Sequence, residues 1–106
     1  MIKAVMYWDR LRLEVDGHAD YAEKGKDIVC AGASMLTGAL AGALDEAENR
    51  GRCEYKAKNS DGRAMIWANP AMGSTTEVKA YFKMAVIGFR MLQEKYAKYV
   101  TIREVM

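Results

Sequence analysis

His18 is the only histidine in this sequence, and Cys30 is one of its two cysteines. Together the two side chains could act in nucleophilic catalysis. A thiol beside an imidazole forms a nucleophile and base pair, because the imidazole removes the thiol proton and later protonates the leaving group. The two residues are twelve positions apart along the chain. Their chemistry therefore depends on the elements that bring the two side chains together.

Cys30 lies close to the predicted start of a helix. Asp27 is a favourable N-cap residue, and helix-compatible residues follow it to about Asn49, where residues 49–51 form a stop. The free N–H groups and the positive end of a helix favour the thiolate over the thiol, and they also suit an oxyanion on an attacked carbonyl. Steps of three and four residues place Asp27, Cys30 and Ser34 on one helical face.

Residues 19–26, between the strand end that carries His18 and the helix, are predicted to form a flexible lid. Gly17 and Gly25 give hinge freedom, and the segment is charged with few apolar anchors. The lid comprises Ala19, Asp20, Tyr21, Ala22, Glu23, Lys24, Gly25 and Lys26. We expect an extended peptide to order this lid and to bring His18 to Cys30, which need not form a hydrogen bond without substrate.

The rest of the sequence predicts two hairpins, a second helix and a closing strand. Five segments have the alternation or the β-branched and aromatic content of strands: residues 2–8, 11–16, 53–58, 63–68 and 100–105. Residues 59–62 contain an Asp-Gly pair, which favours a hairpin turn. The second helix is predicted from the Ser-x-x-Glu capping box at Ser74 to about Tyr99. The order β-β-α-β-β-α-β predicts an α+β fold in a single domain, residues 1–106, with one mostly antiparallel or mixed sheet packed with two helices.

Both predicted helices carry an unusual face. The first has interior glycines, each of which costs about 1 kcal/mol relative to alanine, so we expect a close approach of another backbone to explain them. These glycines are Gly32, Gly38 and Gly42. The second helix has an apolar stripe beside its core face, and we expect part of that stripe to contact a partner chain. The stripe consists of Tyr81, Met84, Ile87 and Met91.

Composition narrows the class of protein. The net charge of +2 is too small to indicate nucleic acid as a direct partner. Two cysteines do not make a disulfide framework, which favours a reduced, cytoplasmic setting. The apolar run 28–44 is rich in small residues and contains Ser34 and Thr37, so we interpret it as a buried helix and expect no membrane association. No cofactor is expected, since no P-loop or dinucleotide fingerprint is present.

Simpler interpretations of the same residues remain open at this point. Cys30 is also compatible with an apolar core position, His18 with an ordinary surface position, and Asp27 with helix capping alone. A metal site of His18, Cys30 and Cys53 lacks both a C-x-x-C pair and a second histidine, so no metal is expected, and Cys53 is expected to have no chemical role. The residues alone thus indicate a small α+β domain with a candidate Cys-His hydrolase site.

The segment from Gly17 to Ser34 resembles the signature of the ribosomal-processing cysteine protease (Prp) family. The matching residues are Gly17-His18-Ala19, then Gly25-Lys26-Asp27-Ile28-Val29-Cys30-Ala31, then Ser34. Two half-motifs at a fixed separation are far more specific than a lone cysteine and histidine. The order of hairpins and helices extends the resemblance over nearly the whole chain.

The resemblance implies a small cytoplasmic endopeptidase that forms a homodimer and uses Cys30 as nucleophile and His18 as general base. Asp27 and Ser34 match polar positions of the family, and Gly17 matches a glycine that lets the loop move over the substrate. The family removes an N-terminal extension from large-subunit ribosomal protein twenty-seven, and related phage capsid or scaffold proteins are also cut. Its substrates are cut after a pair of aromatic residues, so an apolar groove is expected.

A non-enzymatic alternative fits the same sequence. In that case the surface around Cys30 binds a ribosomal protein or RNA, and the cysteine is structural. The two hypotheses differ in whether Cys30 is needed for cleavage of a protein with an N-terminal extension.

Overall fold

A computed structural model describes residues 1–22 and 27–106 of the chain. Its elements in chain order are β1 (Ile2–Tyr7), β2 (Arg12–Asp16), α1 (Ile28–Asn49), β3 (Cys53–Ser60), β4 (Arg63–Pro70), α2 (Thr75–Lys95) and β5 (Val100–Val105). The predicted α+β class and the order β-β-α-β-β-α-β are confirmed.

The five strands form one mixed sheet in the order β3-β4-β2-β1-β5. Only β1 and β5 pair in parallel; the other three neighbouring pairs are antiparallel. In the β2–β4 pair, Asp16 is opposite Arg63. The residues that follow β2 therefore lie beside the turn between β3 and β4.

The core lies between one face of the sheet and the two helices. Burial alternates along β1 and β2, which is the pattern of a sheet covered on one side. Met6 and Leu13 of the sheet are fully buried, as are Phe82 and Phe89 of α2 and Leu44 of α1. Aromatic side chains of this size dominate the burial of apolar surface in a small core.

The exposed face of α1 differs from the expectation of a buried helix. By length and composition, α1 is apolar enough to cross a membrane. Only 22% of its most apolar 18-residue stretch is buried in the fold. A Cβ at Gly32 would lie 3.1 Å from Leu92 Cδ2, so α2 approaches closely there. A Cβ at Gly38 or Gly42 would meet nothing within 4 Å. Close backbone approach is therefore the wrong explanation for these two glycines.

Several element boundaries also differ from the sequence-based predictions. β3 and β4 pair over their full length, so only Asp61 and Gly62 remain as the hairpin turn. Ser74 is the N-cap residue of α2 but its side chain makes no capping hydrogen bond, so the predicted capping box is wrong. α2 ends at Lys95, before the predicted Tyr99, because a turn closed by hydrogen bonds to the Tyr96 carbonyl leads directly into β5.

Candidate active site

The structure brings Gly17, His18, Cys30 and Ser34 to one open groove of about 600 Å³. One wall is the part of α1 that follows Cys30, where the lining side chains are small. The opposite wall is formed by residues 57–64 of the β3–β4 hairpin. The groove is thus a concave surface with a thiol and an imidazole in its lining, the arrangement expected of a reaction site.

Cys30 occupies the first turn of α1 and is half-buried. The backbone N–H of Ala19 donates a hydrogen bond to its Sγ at 3.3 Å. A donor aimed at sulfur can stabilise negative charge that develops there during a reaction. This hydrogen bond also fixes the residue after His18 next to the thiol.

Asp27 joins the helix start to the loop that follows His18. Its Oδ1 accepts hydrogen bonds from the N–H groups of Val29 and Cys30, both at 3.0 Å, which confirms it as the N-cap. Its Oδ2 accepts from Tyr21 at 3.0 Å and from Ala22 at 3.4 Å. Both carboxylate oxygens are therefore occupied by backbone donors, and this carboxylate positions backbone segments.

The protonation of Asp27 reflects two opposing effects. Burial of the carboxyl raises its pKa. The hydrogen bonds from the backbone N–H groups of Cys30, Tyr21 and Ala22, in that order, lower the pKa by more than burial raises it. The net result is a pKa of Asp27 below the usual 3.8, so the residue is an ionised acceptor at neutral pH.

The N–H groups at the start of α1 were expected to be free to stabilise an oxyanion, but they are already hydrogen-bonded. Those of Val29 and Cys30 are bonded to the Asp27 side chain, and that of Ala31 donates to the Asp27 carbonyl at 3.0 Å. The described donor that faces the sulfur is instead the N–H of Ala19.

His18 follows β2 and has a half-exposed side chain that faces the β3–β4 turn. Its Nε2 lies 3.7 Å from Asp61 Oδ1. A Cβ on Gly62 would lie 2.9 Å from the same Nε2, so the glycine leaves room for the imidazole. Within residues 1–22 and 27–106, no hydrogen bond joins His18 to Cys30.

Gly17 is required by its backbone geometry. Its φ is +96°, and a Cβ there would clash with the carbonyl oxygen of Met1. Its N–H donates to the Gly62 carbonyl at 2.7 Å, which ties the end of β2 to the β3–β4 turn. A larger residue at this position would displace the neighbouring His18.

Ser34 lies one turn after Cys30, is exposed, and lines the groove. Its backbone carbonyl accepts a hydrogen bond from Thr37 Oγ1 at 3.0 Å. Because Ser34 and Cys30 line the same wall of the groove, the Ser34 hydroxyl can contact a ligand bound there.

The predicted lid is described over its first half only. Glu23, Lys24, Gly25 and Lys26 lie outside the described residues. Ala19 is buried, and the ring of Tyr21 packs edge-on against Tyr96 and Tyr99, with centroids 5.5 and 5.1 Å away. Tyr21 is therefore an apolar anchor that the sequence interpretation did not recognise.

Asp61 and Gly62 are site-lining residues that the sequence predicted only as a turn. Their proximity to His18 follows from the pairing of β2 with β4, which is a long-range contact. No local pattern carries that information, although the Asp-Gly turn itself is evident.

Cys53 lies away from the groove, and its Sγ donates to the Leu44 carbonyl at 3.7 Å. Burial, followed by the charges of Glu48 and Glu77, raises the pKa of this thiol. In the part of the chain that the structure describes, no three His, Cys, Asp or Glu residues are grouped to hold a metal ion. The alternative metal site of His18, Cys30 and Cys53 is therefore not formed there.

The sequence was compared with protein-family models and with curated proteins. The family model described as cysteine protease Prp matches residues 1–101. No curated protein matches the sequence.

Solved structures share the fold over almost the whole chain. The S. aureus ribosomal processing protease Prp with a covalently linked product peptide has a TM-score of 0.78 at 23% identity, covering 99% of this chain and 100% of that chain. The same S. aureus protease with a substrate peptide has a TM-score of 0.73 at 22% identity and the same coverage. The protein SMU.848 from Streptococcus mutans has a TM-score of 0.68 at 26% identity, covering 98% and 91%. Because the family model spans residues 1–101 of 106, this chain belongs to the Prp family of cysteine proteases.

Proposed function

We propose that this protein is an endopeptidase in which Cys30 is the nucleophile and His18 is the general base. The observation that carries the proposal is that both side chains line one groove, in a chain that belongs to a cysteine protease family. His18 takes the proton of Cys30, and Sγ attacks the scissile carbonyl. The imidazolium then protonates the leaving amine, and water hydrolyses the resulting thioester with His18 as base.

Oxyanion stabilisation is assigned to the N–H of Ala19. The N–H groups of the first turn of α1 are already bonded to Asp27, whereas that of Ala19 lies 3.3 Å from the attacking sulfur. A backbone donor at this distance can follow the negative charge from sulfur to carbonyl oxygen. Closure of the lid, residues 19–26, over a bound peptide would then bring His18 toward Cys30. Gly17 would act as one of its hinges.

The proposed substrate is a ribosomal protein with an N-terminal extension, large-subunit protein twenty-seven, and phage capsid or scaffold proteins are further candidates. The support is the fold shared with an S. aureus ribosomal processing protease and the shape of the groove. Ala33, Gly38 and Ala41 on the α1 wall leave room for large side chains of an extended peptide. Ser34, on the same wall, would hydrogen-bond the peptide.

A homodimer is proposed from the exposed stripe on α2. Met84, Ile87 and Met91 are exposed by 74%, 46% and 61%, and a contiguous apolar surface of this kind favours association. The setting proposed for the activity is the cytoplasm, in keeping with two free cysteines. Sedimentation equilibrium would measure the dimer directly, and a monomer at micromolar concentration would contradict it.

The decisive experiment maps new N-termini by mass spectrometry. The purified protein is mixed with an extension-bearing ribosomal protein and, separately, with capsid proteins from the same source. We expect one new N-terminus with the wild-type protein and none with Cys30→Ala. Cleavage at the wild-type rate by Cys30→Ala would refute the protease mechanism.

The same experiment tests the non-enzymatic alternative. Binding of the ribosomal protein without any new N-terminus, by the wild type and by Cys30→Ala alike, would support a binding module. RNA is tested in parallel, because the net charge of +2 predicts no direct affinity for it.

A further inference from the structure

Three features of the β3–β4 turn constrain the positions of Gly17 and His18. The Gly62 carbonyl accepts the Gly17 N–H at 2.7 Å. Gly62 lacks the Cβ that would press on the imidazole at 2.9 Å from Nε2. Asp61 places Oδ1 3.7 Å from that same nitrogen. The turn therefore determines where the imidazole can lie and which of its two nitrogens faces a carboxylate.

No other charged side chain that lines the groove is paired with His18 among the described residues. Lys58 and Arg63 come from the same hairpin, and Cys30 comes from α1. Arg63 is paired with Asp16 at 3.5 Å and with Glu14 at 3.6 Å, so its charge is compensated on β2. Asp61 is the carboxylate paired with His18 among the described residues.

We propose that Asp61 is a positioning residue for His18, an inference that rests on the proposed function. Its carboxylate attracts the proton of the imidazole to Nε2, which leaves the lone pair of Nδ1 to accept the proton of Cys30. When that proton moves from Sγ to Nδ1, the imidazole becomes a cation and the thiol a thiolate. The negative charge of Asp61 then stabilises the cation until it protonates the leaving amine.

The fold allows this proposal to be tested without damage to the turn. Gly62 carries the positive φ of the turn, +72°, and Asp61 does not, so Ala, Asn and Glu all fit at position 61. Asp9 provides the control, since it is a solvent-exposed aspartate in a different turn, paired with Arg10 at 3.6 Å.

The first measurement is kcat and KM for Asp61→Ala, Asp61→Asn, Asp61→Glu and Asp9→Asn. An exposed charge pair is worth a small factor, so we expect Asp61→Ala to lower kcat about threefold to fivefold at unchanged KM. Asp61→Glu should restore most of the loss, and Asp9→Asn should equal the wild type. A rise in KM at constant kcat would show that Asp61 binds substrate instead, and equal kcat in all variants would also overturn the proposal.

The second measurement needs no substrate, so it separates this proposal from the proposed function. His18 is the only histidine, and its two ring nitrogens are therefore assigned directly in a ¹⁵N NMR spectrum. For the neutral ring we expect the proton on Nε2 in the wild type and a larger Nδ1–H fraction in Asp61→Ala. A wild-type proton on Nδ1, or spectra identical in both proteins, would overturn the role of Asp61 even if cleavage is observed.

Discussion

The two cysteines lie near opposite ends of α1 and have opposite hydrogen-bond roles. The sulfur of Cys30, in the first turn, accepts an N–H and borders the groove. The sulfur of Cys53, just past the last turn, donates to a carbonyl in the interior, where burial raises the pKa of the thiol. The same side chain thus borders the groove at one end of the helix and is a buried thiol with a raised pKa at the other.

The largest expected difference between the two ends is in catalysis. Cys30→Ala removes the nucleophile, so kcat should fall about a thousandfold or more. Cys53→Ala should keep the wild-type kcat and lose about 1–2 kcal/mol of stability, because it deletes a buried sulfur. Peptide cleavage and urea denaturation measure the two effects, and a comparable loss of kcat in both variants would remove the distinction between the thiols.

Alkylation compares the two thiols in one native protein. Iodoacetamide reacts with thiolates, so at neutral pH Cys30 should be labelled roughly tenfold or more faster than the buried Cys53. Tryptic mass mapping against time gives both rates. The same labelling in urea serves as the control, where the rates should converge; convergence already in the native protein would instead favour a structural Cys30.

The proposed function places the substrate at the Cys30 end of α1, and two glycines provide a test of that position. Gly38 lines the groove and Gly42 does not, while a Cβ at either meets no atom within 4 Å. Leucine at each position should stabilise the helix by about 0.5–1 kcal/mol. Gly38→Leu should nevertheless lower kcat/KM roughly tenfold by filling the groove, whereas Gly42→Leu should not. Equal activity of the two stabilised variants would place the peptide elsewhere.

Asp27 makes the Cys30 end of α1 sensitive to acid. A carboxyl whose folded pKa lies below 3.8 stabilises the protein above that pH, and the contribution is lost as pH falls through the folded value. Asp27→Ala should cost about 1–2 kcal/mol at neutral pH, and less as the pH falls below about 3.8. Urea denaturation at pH 7 and in acid measures this, with Glu46→Ala as an exposed carboxylate control on the same helix. A pH-independent cost would contradict the ionised cap.

The sequence predicted the elements that carry the site better than it predicted their contacts. Alternation and the Asp-Gly turn located both hairpins, and Asp27 located the start of α1, because these signals are local. The contact of Asp61 with His18 depends on the β2–β4 register, which joins residues far apart in sequence. The edge-on packing of Tyr21 on Tyr96 and Tyr99 likewise joins distant segments. The interior glycines were misinterpreted because composition does not show which face of α1 is open.

The parallel pairing of β1 with β5 has a consequence for the order of folding. These strands occupy adjacent positions in the sheet although they are the first and last elements of the fold. Until β5 has been synthesised, β1 is an edge strand with one row of unpaired backbone groups. Contacts of such large sequence separation slow folding. A nascent chain would thus carry His18 and Cys30 long before its sheet is complete, and proteolytic competence is expected to arise only after β5 has docked.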